Sequence, residues 1–284
     1  MNKIIACIDG SNYATSVCDH AAWAARRLDV PVEIVHALGR RETSSRPFDL
    51  SGSLELGGRE ALLAELAEFD AQKAKLANRR GRLILEQAAA RVKADGVLQV
   101  TERLRNGEVT EAIKEIEPEA RLVVIGKRGE AADMAKGHLG SNLERVVRSM
   151  TKPLLVASRA FQPIERFLVA FDGGRSSPMI VERLLASPLL KDVACHLFMV
   201  GDGSGEPGQR LHAAREQLAA AGYKVTVGVE SGDPETVIAE KVRRDGIGLL
   251  VMGAYGHSRI RNLIVGSTTT ALIQACTVPV LVIR

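Results

Sequence analysis

Short apolar runs of Ile, Val, Leu and Phe recur along the 284-residue chain, separated by longer stretches whose apolar residues return every three or four positions. The short runs read as strands buried on both faces, and the longer stretches as amphipathic helices that cover them. Strands are predicted near 3–9, 31–37, 98–104, 121–126 and 153–157, then at 166–172, 193–200, 223–230, 248–253 and 279–284. In the second half, helices are predicted around 177–187, 209–221, 233–243 and 267–276. Strand–helix alternation with near-continuous apolar strands such as Leu122-Val-Val-Ile125 and Leu249-Leu-Val-Met252 predicts an α/β fold. Its expected architecture is a doubly wound, five-stranded parallel sheet, used twice.

The same pattern exposes a duplication. Two apolar runs end in an acid and a glycine, Asp9-Gly10 and Asp172-Gly173, 163 residues apart. Later pairs keep a shorter offset: Gly107 and Gly232 are 125 apart, Gly126 and Gly253 127, Gly140 and Gly266 126, Pro153 and Pro279 126. A stable offset after residue 107 marks a repeated unit of about 125 residues with extra chain inside the first copy. Two domains are therefore expected, at 1–160 with an insertion at about 40–80, and at 161–284, packed as a pseudo-dimer. The insertion opens with a polar loop and continues from about Glu60 to Ala94 in an Ala-, Leu-, Glu- and Arg-rich stretch. There Leu62, Leu66, Phe69, Leu76 and Leu83 form a seam that Lys73 and Arg80 interrupt. Two readings stay open: a helix packed on its own domain and broken near Gly81, or a protruding helix that binds a partner.

Composition narrows the function. Aromatic residues make up 4% of the chain, too few for platforms of stacked bases, and a net charge of +4 is too small for a polyanion footprint. Nucleic acid is thus not an expected partner. Cys7, Cys18, Cys195 and Cys276 stand far apart, in no metal-binding spacing, and read as reduced core thiols. The N-terminal apolar run is too short for a signal peptide or a membrane span, so a cytoplasmic protein without membrane contact is expected.

The chemistry concentrates after the fourth strand of the second copy, in Gly253-Ala-Tyr-Gly256, nine residues, then Gly266-Ser267-Thr268. Glycines there let a ligand approach the backbone, and Gly-Ser-Thr at a helix start supplies free N–H groups and hydroxyls for an anion. Asp172 would lie across the reversal in strand order and could accept hydrogen bonds from a base or a ribose hydroxyl. An adenosine nucleotide is the natural fit. This Gly-x-x-Gly, nine residues, Gly-Ser signature resembles that of the universal stress protein (UspA-like) family. The strand-one Asp-Gly and the closing Pro279-Val-Leu-Val-Ile-Arg284 extend the resemblance over two tandem copies. By resemblance, Asp172 and Val200 would border adenine and Gly253 the ribose, while Gly256, Gly266, Ser267 and Thr268 would hold the phosphates of ATP, with Mg²⁺ bound through them. A stress-response role and a possible homo-oligomer with an unknown protein partner also follow from the resemblance.

The first copy offers Asp9, Gly126, Gly129, Gly140 and Ser141 at matching places, but with ten residues between Gly129 and Gly140. Glu130 and Asp133 would set acids near a triphosphate, offset by Lys127, Arg128 and Lys136, and Ala37 replaces Val200. Other readings remain. Asp9 and Asp172 also read as structural acids that brace the following turn. His257 and Arg259 read either as phosphate contacts or as solvated loop residues. Gly203-Ser-Gly205-Glu-Pro-Gly208 fits a dinucleotide fingerprint but follows the second strand of its domain, and Pro207 removes an N–H; it reads as a Gly-rich turn. No nucleophile–base pair stands at the site, so slow ATP hydrolysis is the most the residues offer. Two alternatives accompany the nucleotide reading: a nucleotide-free scaffold using the inserted helix and terminal strands, and an adenylating enzyme of the ATP-pyrophosphatase type, faintly echoed by Asp172-Gly-Gly-Arg-Ser-Ser177.

Overall fold

The structure is a computed structural model that describes residues 2–39, 56–129, 141–174, 176–254 and 267–284. Its first half runs β1 (Lys3–Ile8), α1 (Ala14–Leu28), β2 (Val32–Leu38), α2 (Leu56–Ala94), β3 (Val100–Asn106), α3 (Val109–Ile116), β4 (Ala120–Gly126), α4 (Ser141–Ser149) and β5 (Leu154–Ala157). The second runs β6 (Arg166–Ala170), α5 (Ser176–Ala186), β7 (Ala194–Val200), α6 (Gly205–Ala220), β8 (Val225–Glu230), α7 (Pro234–Arg244), β9 (Leu249–Gly253), α8 (Ser267–Ala275) and β10 (Val280–Ile283). The predicted strands all form, with ends displaced by a few residues at most.

The ten strands make one sheet in the order β3-β2-β1-β4-β5-β10-β9-β6-β7-β8. Every neighbouring pair is parallel except β5 and β10, which pair antiparallel with Leu155 opposite Leu281. Each half is thus a doubly wound five-stranded sheet, and the two join edge to edge through their last strands. That junction covers two edges that would otherwise present unpaired backbone groups. The strands read as apolar throughout because both faces are covered: Ile4, Ile5, Phe167 and Leu168 are fully buried, and the core on each face contains residues of both halves.

Strand register locates the insertion. β1 pairs Cys7 with Val35 and β6 pairs Ala170 with Phe198, both sets 163 residues apart. Val32 pairs with Val100 and Cys195 with Val225, so the third strands of the halves lie 125 apart. The difference, 163 − 125 = 38 residues, falls wholly in the crossover between β2 and β3.

That crossover contains α2, a 39-residue helix. It is unbroken at Gly81, which corrects one of the two sequence readings. Gly81 lies in the helix because β2 and β3 approach it there: a Cβ would stand 2.8 Å from Leu104 and 3.0 Å from His36. From Gly81 onward Leu85, Ala88, Ala89 and Val92 are buried against the domain, whereas none of residues 62–80 is. The helix therefore packs through its second half and extends beyond the domain through its first.

The halves are also tied by charge. Lys127, just after β4, donates to the carbonyls of Gln274 (2.7 Å) and Cys276 (2.8 Å) at the C-terminal end of α8. Arg284, just after β10, donates to Met150, to Val147 (2.6 Å) and to Arg148 (3.1 Å) at the C-terminal end of α4. Each half thus places a cation on the helix end, rich in unpaired carbonyls, of the other. No helix among the described residues is long and apolar enough to cross a membrane.

Candidate functional site at the strand carboxyl ends

Strand order reverses twice, between β1 and β4 and between β6 and β9. In open α/β sheets these reversals leave a crevice outside the carboxyl ends of the strands, where crossovers diverge to opposite faces. The candidate residues on described elements gather there. Asp172 follows β6, Val200 ends β7 and Gly253 ends β9; Asp9 follows β1, and Gly126 ends β4 ahead of Gly129. Gly256, His257, Arg259 and Gly266 in the second half, and Glu130, Asp133, Lys136 and Gly140 in the first, lie outside the described residues. So does the polar loop of the insertion at 40–55. Ser141 and Ser267 open α4 and α8, and Thr268 is exposed in the first turn of α8.

Asp172 is half-buried, and its Oδ1 accepts hydrogen bonds from the Gly174 N–H (2.8 Å) and from Ser177 Oγ (2.8 Å). Ser177 is fully buried. The carboxylate thus braces the turn into α5, which fixes the plane in which its other oxygen lies. Asp9 does the same in the first half, accepting from the Ser11 N–H at 3.0 Å. Its Oδ2 stands 2.8 Å from where a Cβ of Gly129 would be, so this acid lies directly against the Gly-x-x-Gly loop.

Gly253 and Gly126 have a packing reason of their own. A Cβ on Gly253 would stand 2.6 Å from the Cβ of Ser176, and one on Gly126 would stand 2.8 Å from that of Tyr13. In each half the fourth strand ends against the segment entering the first helix, and only glycine permits that distance. The sequence reading gave Gly253 to close approach of a ligand; the structure fills the space with Ser176. Ser176 and Ser177 entered the sequence reading only in the faint Asp172-Gly-Gly-Arg-Ser-Ser177 echo and Tyr13 not at all; the contacts of Ser176 and Tyr13 are made across the switch point, and that of Ser177 within the turn.

Lys127 also departs from its expected place. Instead of offsetting Glu130 and Asp133, its ammonium is spent on the end of α8, and burial lowers its pKa. Register bears out the pairing of Ala37 with Val200: Val35 and Phe198 are equivalent, and these residues follow two positions later. Val200 is half-buried and packs on the apolar core of its face. The Gly-rich segment after β7 is accounted for without a ligand. Gly208 lies in α6, where a Cβ would collide with the Gly203 carbonyl at 1.9 Å, and Pro207 packs on Gly173.

A cleft of about 400 Å³ opens at the opposite, amino ends of β6, β7 and β8, lined by Arg166, His196, Lys224, Thr226 and Asp245 among others. Several of its polar groups are engaged within the chain, but the buried His196 Nε2 has no hydrogen-bond partner among the described residues. His196 Nδ1 meets Thr226 Oγ1 at 2.8 Å, its Nε2 faces Gly228, and Arg166 donates to the Asp245 carbonyl at 2.9 Å. In the first half the equivalent of His196 is Glu33, buried and paired with Lys3 (2.7 Å) and Arg103 (2.5 Å). These are two solutions to one packing problem, remote from the switch points. All four cysteines are free and buried, and burial pushes the thiols of Cys7, Cys18 and Cys195 up to about 12 and that of Cys276 to about 11. Such thiols are inert at neutral pH.

The sequence profile of the universal stress protein family matches residues 1–158 and 200–284. A universal stress protein of Synechocystis sp. is 36% identical over 287 residues, covering 100% of both chains. One of Mycobacterium tuberculosis is 23% identical over 300 residues, covering 99% of this chain and 96% of its own. Among solved structures, a universal stress protein from Archaeoglobus fulgidus superposes with a TM-score of 0.72 at 20% identity, covering 99% of this chain and 97% of its own.

Proposed function

This chain belongs to the universal stress protein family, and we propose that it binds an adenosine nucleotide, ATP in the first instance, at the switch point of its second half. The observation that carries this reading is the convergence of Asp172, Val200 and Gly253 on the carboxyl ends of β6, β7 and β9, where α8 also begins. The residues suit the ligand in kind. Asp172, held through Oδ1, has its second oxygen to accept from the adenine amine or a ribose hydroxyl. Val200 supplies apolar contact to the base. The first N–H groups of α8, with Ser267 and Thr268, offer donors to phosphate oxygens, and Gly256 and Gly266 leave the backbone open to them. A bound triphosphate would bring Mg²⁺ with it through its own oxygens.

The first half holds Asp9, Gly126, Gly129, Gly140 and Ser141 at equivalent places. Its loop is one residue longer, and Lys127, one of the three cations set against Glu130 and Asp133, is committed to α8 and not available to a triphosphate. We assign nucleotide binding to the second half, about 161–284, and a weaker or altered site to the first. The nucleotide acts as a ligand that biases conformation or partner choice in a cytoplasmic stress response; the site offers positioning and electrostatics, not a nucleophile and its base.

Calorimetric titration of ATP into the wild-type protein and into Gly266→Val tests the assignment. Binding by the wild type that is lost in the variant is expected, with native mass spectrometry giving one strongly bound nucleotide per chain. Tight binding that survives Gly266→Val would overturn it.

A further inference from the structure

Between Leu62 and Leu83, α2 carries an apolar face directed away from the side that packs on its own domain. Phe69, Leu76 and Leu83 are 58%, 68% and 51% exposed and lie seven residues apart, so they line one stripe of the helix. Leu62 extends the stripe by one more heptad, and Leu66, Lys73 and Arg80 fill the intervening positions, four residues after each apolar member. The residues that pack on the domain, Leu85, Ala88 and Val92, stand on the opposite side. Three of the eight large apolar side chains exposed among the described residues, Phe69, Leu76 and Leu83, stand on this one stripe. Concentration on one element, at heptad spacing, distinguishes this face from scattered surface leucines.

Charge along the same segment is divided at its centre. Between residues 60 and 70 the charged side chains are all acidic (Glu60, Glu65, Glu68, Asp70), and between 73 and 82 all basic (Lys73, Lys75, Arg79, Arg80, Arg82). Glu65, Glu68, Lys75, Arg79 and Arg82 are exposed. A helix with an acidic first part and a basic second part is complementary to itself when reversed.

We propose that this face of α2 joins a second copy of the same chain in an antiparallel helix pair, with its two-fold axis near Ala71 and Gln72. In that arrangement Leu66 packs across the partner's Leu76, Lys73 across the partner's Phe69, and Arg80 across the partner's Leu62. Each cation then lays its stem on an apolar side chain, and Lys73 reaches the face of an aromatic ring. Glu65 falls beside the partner's Arg79. The parallel alternative would stack Lys73 on Lys73 and Arg80 on Arg80 in the seam, which like-charge repulsion disfavours. The contact is isologous and closes as a dimer, with no open edge for further growth. The terminal strands β5 and β10 are paired within the chain, so the second copy uses a different surface, one at which Phe69, Leu76 and Leu83 are exposed.

Sedimentation equilibrium on the full-length protein tests the proposal. Mass is expected to rise with concentration from 30.5 kDa toward twice that value. Leu76→Lys, at an exposed position that leaves the fold intact by circular dichroism, is expected to weaken association by at least about tenfold, or roughly 1.4 kcal/mol. Orientation is read by disulfide trapping: Glu65→Cys mixed with Arg79→Cys is expected to cross-link as a heterodimer, and Glu65→Cys alone to remain uncross-linked. A monomer at all concentrations, a dimer indifferent to Leu76→Lys, or self-cross-linking of Glu65→Cys would each overturn the antiparallel pair. None of these outcomes depends on nucleotide.

Discussion

The contact made by Lys127 offers a quantitative test of how the two halves hold together. Replacing it by Met keeps the aliphatic stem but removes the ammonium that donates to Gln274 and Cys276 at the end of α8. A hydrogen bond from a charged donor contributes about 1.5–3 kcal/mol net, and a cation at a partly buried helix C-terminus up to about 2 kcal/mol. These figures describe the same ammonium and overlap. Against them stands the cost of burying the charge, which is what lowers the Lys127 pKa. The net expectation is a loss of about 2 kcal/mol, or roughly 4–6 °C in Tm at about 2–3 °C per kcal/mol for a chain of this size. Urea and thermal unfolding followed by circular dichroism would measure it, with Lys114→Met, at an exposed position of α3, as the control. Arg284→Met, which releases the end of α4, is expected to behave alike. If Lys127→Met costs no more than Lys114→Met, the cation contributes nothing to joining the halves.

Three further outcomes follow from other contacts. Burial lowers the pKa of His20, fully buried beside Phe161, and of His196, where Lys241 and Arg166 add to the effect. The unfolded chain therefore takes up protons below pH 6.5 that the folded one refuses. Stability should fall as pH drops from 6.5 to 5.5, by at most about 1.4 kcal/mol per pH unit for each histidine, and His20→Gln should reduce that slope; urea midpoints that stay constant over this range would exclude it. Glu33→Gln leaves Arg103 facing an uncharged group where the carboxylate side chain is only 5% exposed, while Lys3 keeps Glu119 at 2.6 Å, and should cost about 1.5–3 kcal/mol in denaturant titration. Gly253→Ala places a Cβ 2.6 Å from that of Ser176 and should lower Tm by the equivalent of about 1–3 kcal/mol; a neutral result would show that α5 yields at that point.

The fold was legible because its signals are local or periodic. Apolar runs such as those at 121–126 and 248–253 specify buried parallel strands by themselves, and a constant offset between glycines and prolines exposes the duplication even at low identity between copies. The placement of the candidate residues was legible to the extent that it follows from topology: once Asp172 and Gly253 end strands on either side of a reversal, their proximity is fixed. What escaped was every contact that depends on distance across the fold. Ser176 against Gly253 joins residues 77 positions apart, a meeting encoded in no spacing, whereas Ser177 on Asp172 is the local turn brace that one reading of the acid had offered. Lys127 illustrates the limit best, because its neighbours in sequence are residues of the candidate Gly-x-x-Gly loop while its partners lie some 150 positions away.

That displacement bears on how two copies of one fold diverge within a chain. Both candidate phosphate loops lead into a helix, α4 or α8, whose far end is held by a cation from the other half. In the second half the helix bearing the intact motif is held from the first half's loop itself, through Lys127. The equivalent position in the second half is Ala254, so this cation belongs to the first copy alone, where it steadies the helix of its neighbour. The insertion follows the same logic on a larger scale, since its 38 residues enter the crossover farthest from the β5–β10 junction and leave both switch points in register.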